Sequence, residues 1–286
     1  MLMSINGRSV DPREATVSAF DRGFLFGDAI YEVARTVGRR PFHLDRHLER
    51  LTRSGEAIGL DVTPLLPGLE REIARLIGEA PWPGELVIRI MITRGSAPDL
   101  DMFTVDGPPL QLVMVRPLAA SSAELLRRGM RLLPVEPDAL VARLSPGVKS
   151  NNRQANVMAH RIARERGFDD GLFVSPGGVV TEGPTWNLFL IAQGRLITPP
   201  LERGILAGIT RSLVLEHARK LGIPCEEREV PLAEARAADE MFITSTTRGV
   251  MPVSALDERT FTPIPGPVTG RLQQALEADY RPGRSA

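Results

Sequence analysis

The sequence predicts an α/β protein of two domains, and three observations carry the prediction. Over the first hundred residues, strand-like runs alternate with helical periodicity, as where Ala29 to Thr36 is followed by His43 to Ile58. A small and polar stretch, Pro117-Leu118-Ala119-Ala120-Ser121-Ser122, then interrupts the pattern and places a linker over 118–122. With 286 residues and 43% hydrophobic content, the chain can bury a core on either side of that break. The expected domains are therefore 1–117 and 123–286.

Within the first domain, Ala29 to Thr36 is rich in Ile, Tyr and Val and reads as a strand. His43 to Ile58 and Leu65 to Gly78 read as helices, and Leu86 to Thr93 and Leu110 to Val115 as further strands. Beyond the linker come a strand over Met130 to Val135, an irregular stretch with Pro137 and Pro146, and a helix over about Asn151 to Arg166. Asp169 to Thr198 reads as all-β, with turns at Ser175-Pro176-Gly177-Gly178 and at Gly194. From Gly208 onward helices and strands alternate again, without repeats or low-complexity tracts.

Composition narrows the function classes. Thirty-five basic residues balance thirty-five acidic ones, so net charge offers no pull on nucleic acid or an anionic membrane. The one cysteine, Cys225, rules out an internal disulfide and a cysteine-based metal cluster, and fits a reducing cytoplasm. No apolar run has the length of a membrane span, and the first residues lack the pattern of an export signal. No metal is expected: of His43, His47, His160 and His217, only His43/His47 have ligand spacing, and that pair reads as part of a helix start. No glycine-rich dinucleotide fingerprint follows a strand, and no phosphate-loop Gly-Lys-Ser occurs.

Lys149 is one of only two lysines, and it sits in Gly147-Val148-Lys149-Ser150-Asn151-Asn152 rather than on a charged helix face. A guanidinium is permanently protonated, whereas a lysine amine can lose its proton and attack a carbonyl. Lys149 is thus a Schiff-base candidate, although a bias toward arginine by itself also accounts for the count. Lys220, in Glu216-His217-Ala218-Arg219-Lys220-Leu221, has the ordinary setting of a cation at a helix end.

A catalytic lysine needs partners. Glu182 closes the apolar strand Val179-Val180-Thr181, where it is either a solvated turn residue or a carboxylate that keeps a pyridine nitrogen protonated. Two loops have the make-up of a phosphate cradle. Gly204 to Arg211 leads into a helix beginning near Ile209, and Thr244-Ser245-Thr246-Thr247 follows the strand Glu240 to Ile243. Both are also common capping sequences. Arg50 offers a planar fork for a phosphate, or else a surface ion pair with Asp45, Arg46 or Glu49 as neighbours.

Taken together, Asp21-Arg22-Gly23-Phe24-Leu25-Phe26-Gly27-Asp28-Ala29-Ile30-Tyr31-Glu32-Val33, His47-Leu48-Glu49-Arg50-Leu51, Lys149-Ser150, Thr181-Glu182-Gly183-Pro184-Thr185-x-Asn187, Gly208-Ile209-Thr210-Arg211 and Thr244-Ser245-Thr246-Thr247 resemble the class IV aminotransferases. These are the fold type IV pyridoxal-phosphate enzymes, and the motifs run in their order over nearly the whole chain. The resemblance implies two α/β domains with pyridoxal 5'-phosphate between them, a homodimer, and an amino donor and a 2-oxo acid acceptor as substrates. It implies that Lys149 binds the cofactor covalently and shuttles the proton, and that Glu182 pairs with the pyridine nitrogen. Arg50, Ile209, Thr210, Ser245 and Thr246 would bind the phosphate, and Tyr31 would line the substrate pocket.

Within the family, Tyr31-Glu32-Val33 resembles the D-amino-acid branch, whereas branched-chain enzymes usually carry Phe-Glu-Gly. The loop after Thr93-Arg94-Gly95 departs from that branch: Ser96-Ala97-Pro98-Asp99-Leu100-Asp101 stands where an arginine and a histidine usually hold the substrate carboxylate. Arg89, Arg35, Arg94 and Arg248 are the replacement candidates. The expected activity is transamination between D-amino acids and 2-oxo acids. A branched-chain L-amino-acid transaminase, an (R)-selective amine transaminase and an aminodeoxychorismate lyase remain as alternatives. Trp186 is expected either to narrow the pocket or to serve packing.

Overall fold

The computed structural model describes residues 1–97, 103–104, 107–119, 123–136 and 147–281. Their contacts divide into two compact units. The first takes Met1–Ala119 together with Val148–Asn152, and the second contains Arg153–Arg281 and the described residues between 123 and 147.

The first unit is built on β1 (Leu2–Ile5), β2 (Arg8–Ser9), the short helix α1 (Arg22–Leu25), β3 (Ala29–Val37), β4 (Arg40–Pro41), α2 (Leu44–Ala57), α3 (Leu66–Glu79), β5 (Leu86–Thr93) and β6 (Leu110–Pro117). Its sheet has the order β2-β1-β6-β5-β3-β4, every pair antiparallel. Alternation along β3 sends Ile30 and Ala34 to a core completed by Leu48 and Leu51 of α2 and Leu69, Ile73, Leu76 and Ile77 of α3. On α2 the buried residues His47, Leu48, Arg50, Leu51, Ser54 and Gly55 recur at helical spacing, which gives the helix one inward stripe. Leu51 is fully buried, and truncating it to alanine removes packing worth about 2–5 kcal/mol. The C-terminal carbonyls of α3 are met by Arg39, whose Nη2 donates to Ile77 O at 2.7 Å and Ala80 O at 3.0 Å.

The second unit comprises α4 (Ala123–Arg128), β7 (Met130–Val135), α5 (Gln154–Glu165), β8 (Asp170–Ser175), β9 (Val179–Val180), β10 (Asn187–Ala192), β11 (Arg195–Thr198), α6 (Ile209–Lys220), β12 (Cys225–Glu227), β13 (Val230–Pro231), α7 (Leu232–Ala237), β14 (Glu240–Ser245), β15 (Gly249–Leu256), β16 (Arg259–Thr260) and α8 (Pro267–Asp279). Its sheet runs β12-β11-β10-β14-β15-β7-β8-β9-β13, with β16 added to β15. The parallel pairs are β11/β12, β15/β7 and β7/β8. Strand faces dominated by Leu188, Leu190, Met241, Ile243, Met251 and Val253 make the core. Phe189 and Phe242, paired across β10 and β14, stack at 5.0 Å.

The strands over 86–93 and 130–135 coincide with expectation, and the two N-terminal helices fall within a residue of their expected bounds. The helix expected over Asn151 to Arg166 starts at Gln154 instead, because the segment before it is held to β3, with Ser150 bridged to Ile30 and Asn151 N donating to Ala29 O. That same segment corrects the expected grouping of Lys149 with 123–286. Val148 packs on the core of the first unit, and the backbone around Lys149 is hydrogen-bonded to Ala29, Tyr31 and Ser54. The expected linker lies partly, and the irregular stretch from Pro137 to Pro146 wholly, outside the described residues.

Candidate active site

In the first unit, β3 presents two different surfaces. Its partner β4 pairs only with Thr36 and Val37, so the edge at 29–31 is open to another strand. Lys149 and its neighbours occupy it: Tyr31 N donates to Lys149 O at 2.9 Å, and Asn151 N donates to Ala29 O at 2.9 Å. From α2, Ser54 Oγ accepts from Lys149 N at 3.3 Å. The lysine backbone is thereby fixed from a strand and a helix at once. Its Nζ stands 4.7 Å from the centroid of the Tyr31 ring, and the Arg89 Cζ stands 4.5 Å from the same centroid. Val33, not Tyr31, is opposite Arg89 in the β3/β5 register, so Arg89 reaches Tyr31 diagonally on the same face.

The other face of β3 carries Glu32, which is fully buried. Arg50 donates to it through Nε at 2.7 Å and Nη2 at 2.8 Å, and His47 Nδ1 lies 2.8 Å from its Oε2. Burial works to raise the Glu32 carboxyl. The Arg50 charge and the hydrogen bonds from Arg50 and His47 outweigh it and hold the group well below the usual carboxylate range. For His47, burial acts first to lower the imidazole, the Arg50 and Lys149 charges add to that, and the pull of Glu32 does not reverse it. The ring is therefore neutral near pH 7, and Nδ1 carries the hydrogen given to the carboxylate. Arg50 is paired with Glu32 from the neighbouring strand, in place of the surface pairing weighed from sequence.

In the second unit, a short hairpin closed by Glu182 and Asn187 lies between β9 and β10, which themselves pair with other strands. Glu182 and Asn187 form an isolated bridge, and Gly183 N donates to Trp186 O at 3.0 Å. The Glu182 Oε2 accepts from Asn187 Nδ2 at 3.0 Å and from Leu206 N at 2.9 Å. Asn187 Nδ2 also donates to Leu206 O at 2.9 Å. The carboxylate is thus buried and fixed, not a solvated turn residue. Asn187 stands opposite Thr244 in the β10/β14 register, which sets the Thr244–Thr247 loop beside the Glu182 hairpin. Alpha6 packs against β14, and its N-cap Gly208 makes no side-chain cap. Ser245 Oγ and Thr244 Oγ1 are buried and have no hydrogen-bond partner among the described residues. Orphaned hydroxyls at the end of β14 and a helix start without a side-chain cap on the neighbouring element provide the donors an anion requires.

The candidate arginines separate by their partners. Arg94 engages all three side-chain nitrogens: Nε with Asp28 at 2.7 Å, Nη1 with Gly59 O at 2.8 Å and Nη2 with Ile58 O at 2.5 Å. Arg35 Nε donates to Thr36 O at 3.3 Å. Among the described residues, half-buried Arg248 makes one long contact, Nη1 to Thr185 Oγ1 at 3.4 Å, in the hairpin of Glu182. The loop over Pro98 to Asp101 lies outside the described residues. Trp186 is buried in the core of its unit and donates Nε1–H to Asp170 Oδ2 at 2.7 Å.

Sequence reading missed Glu32, His47, Ser54 and Asn187 as parts of these arrangements. Two signals were present. An acid on the core-facing register of an apolar strand requires a buried cation, and an asparagine closing a short hairpin after a glutamate is placed to hold it.

Comparison with known proteins gives a consistent result. The family described as amino-transferase class IV matches residues 29–256. The D-alanine aminotransferase of Bacillus licheniformis is 32% identical over 278 residues, covering 97% of this chain and 96% of its own. The branched-chain aminotransferase of Thermoproteus uzoniensis superposes with a TM-score of 0.87 at 29% identity, over 97% of this chain and 93% of that one. The 4-amino-4-deoxychorismate lyase of Pseudomonas aeruginosa does so with a TM-score of 0.82, also at 29% identity, over 97% and 99%.

Proposed function

Since the chain belongs to the class IV aminotransferases, which work with pyridoxal 5'-phosphate, we propose that it moves an amino group between D-amino acids and 2-oxo acids, with Lys149 as the catalytic amine. The cofactor, when bound, supplies a pyridine ring that draws off the negative charge developing at the donor's α-carbon. Lys149 would hold that cofactor covalently through Nζ and, when freed by a donor amine, would carry the proton between the donor's α-carbon and the cofactor. Glu182 would keep the ring nitrogen protonated. The phosphate would be held by Ser245, Thr246, Thr210, the amide of Ile209 and Arg50. The orphaned Ser245 and Thr244 hydroxyls support this fit, as does a Glu182 carboxylate already oriented by Asn187 and Leu206.

The D-amino-acid reading is carried by one observation: Tyr31, in the Tyr31-Glu32-Val33 stretch of β3, places its ring under Lys149 Nζ, at the reacting centre. A relative named D-alanine aminotransferase supports it. For the substrate carboxylate, Arg94 is committed elsewhere, which favours Arg248 over it, and Arg89 is a second candidate by its place beside the Tyr31 ring. The reading also includes a homodimer and a cytoplasmic setting. Exposed Val17, Phe20 and Phe24 on the first unit favour association, and the lone free Cys225 suits a reducing compartment. Among the described residues no helix is long and apolar enough to cross a membrane.

The test is a half-reaction screen of the holoenzyme with D-alanine, D-glutamate, L-leucine, L-glutamate and (R)-1-phenylethylamine, following loss of the cofactor's visible band. D-alanine or D-glutamate reacts fastest on this reading. Faster reaction of L-leucine assigns the branched-chain alternative, faster reaction of the arylalkylamine the (R)-amine alternative, and pyruvate release from aminodeoxychorismate the lyase.

A further inference from the structure

We infer that the buried Asp170–Trp186 pair is a brace that positions Glu182, so that both residues act on the reaction through that carboxylate; this rests on the role given to Glu182 above. Trp186 stands one residue before Asn187, at the end of the hairpin whose other end is Glu182. Its indole covers Gly183 so closely that a Cβ there would lie 2.0 Å from two ring atoms. The indole is thus seated directly on Gly183, the residue bonded to Glu182. The backbone bond from Gly183 N to Trp186 O and the side-chain bond from Asn187 to Glu182 Oε2 transmit a displacement of the indole.

Asp170 fixes the indole. It is 3% exposed, and its Oδ2 accepts from Trp186 Nε1 at 2.7 Å while Oδ1 lies 3.0 Å from His160 Nδ1. The far side of the hairpin is gripped by α5 and its cap: Asn156 Nδ2 donates to Pro184 O at 2.8 Å, and Arg153 donates to the same carbonyl. Arg153, Asn156 and His160 recur at the three- and four-residue spacing of one helix face. One face of α5 and the Asp170–Trp186 pair thus hold the hairpin between them. The indole is buried in the core of its unit, so its effect on the reaction runs through the hairpin. A carboxylate displaced by about 1 Å from the atom it must contact loses on the order of 10²-fold in rate.

The experiment compares holoenzyme carrying Trp186→Phe, Asp170→Asn, Glu182→Ala and the Trp186→Phe/Glu182→Ala double change. It reads kcat, KM, the absorption of the bound cofactor, cofactor affinity by titration of apoenzyme, and Tm. Trp186→Phe keeps a ring on Gly183 but removes the N–H. We expect kcat about 10- to 100-fold lower with KM nearly unchanged, and a shift of the cofactor band toward that of Glu182→Ala. Asp170→Asn, which still accepts from the indole, retains most of the rate. The double variant is no slower than Glu182→Ala alone, because both changes act on one contact. Wild-type kcat in Trp186→Phe, or multiplied losses in the double variant, overturns the brace. Wild-type kcat in Glu182→Ala overturns the role of Glu182 instead. Should Trp186→Phe fail to fold, Asp170→Ala removes the acceptor while leaving the indole, and is judged by the same outcomes.

Discussion

Arg50 grips Glu32 with two nitrogens, Nε at 2.7 Å and Nη2 at 2.8 Å, and the two side chains are 5% and 0% exposed. Such a pair adds little net stability relative to well-packed apolar residues, but losing one partner leaves a buried charge uncompensated. Glu32→Gln preserves the shape of the side chain and removes its charge. Urea denaturation should show a loss of about 3–5 kcal/mol. A loss under about 1 kcal/mol would mean that Arg50 finds a substitute acceptor.

The same cluster sets the response to acid. His47 has a folded pKa below its ordinary value of 6.5, so below that pH the unfolded chain binds a proton the folded chain refuses, and stability falls as pH falls. Glu32 is likewise depressed from 4.5, so its contribution is complete above that value and is lost as pH drops further toward the folded one. Two successive acid-side losses are expected in urea midpoints followed downward from about pH 7.5. His47→Gln keeps an N–H for Glu32 and does not titrate. It should flatten the slope just below pH 6.5 and leave the lower loss in place; an unchanged upper slope would assign that loss to another group.

Lys149 is tied into the fold by its backbone amide and carbonyl, which are independent of its side chain. Lys149→Arg should therefore fold with an unshifted Tm. Transamination should nevertheless fall by at least about 10²- to 10⁴-fold, since the guanidinium neither condenses with an aldehyde nor shuttles the proton. Borohydride reduction followed by peptide mapping should label the 147–152 segment in wild type alone. Label on a different lysine would contradict the assignment.

The elements and the motif residues were legible because they are local signals. Beta5 is an apolar run with sharp ends, and α2 shows its stripe through Leu48 and Leu51. Lys149 was identifiable as a chemical oddity in an arginine-rich chain. Its grouping was not, because joining 148–152 to β3 depends on an open strand edge more than a hundred residues earlier in the chain. Glu32 was quoted within a motif, yet its partnership with Arg50 and His47 required knowing that α2 lies on that face of the sheet. Trp186 posed the same difficulty: nothing near it in sequence announces Asp170 as the acceptor for its indole.

Arg94 and Arg248 looked equivalent as carboxylate-binding candidates, and their contacts now predict opposite phenotypes. Arg94 joins Asp28 to the carbonyls of Ile58 and Gly59, so Arg94→Ala removes several charge-assisted bonds and should lower Tm. Because its three side-chain nitrogens are all engaged within the fold, KM should change little among molecules that remain folded. Among the described residues Arg248 makes one 3.4 Å contact, so Arg248→Ala should leave Tm nearly unchanged. If it meets the substrate carboxylate, the lost charge-assisted bond is worth about 1.5–3 kcal/mol, which is roughly a 10- to 150-fold rise in KM for D-alanine. An amine donor without a carboxylate should feel no such penalty. Equal effects on D-alanine and (R)-1-phenylethylamine would remove Arg248 from that role and leave Arg89, above the Tyr31 ring, as the next arginine to substitute.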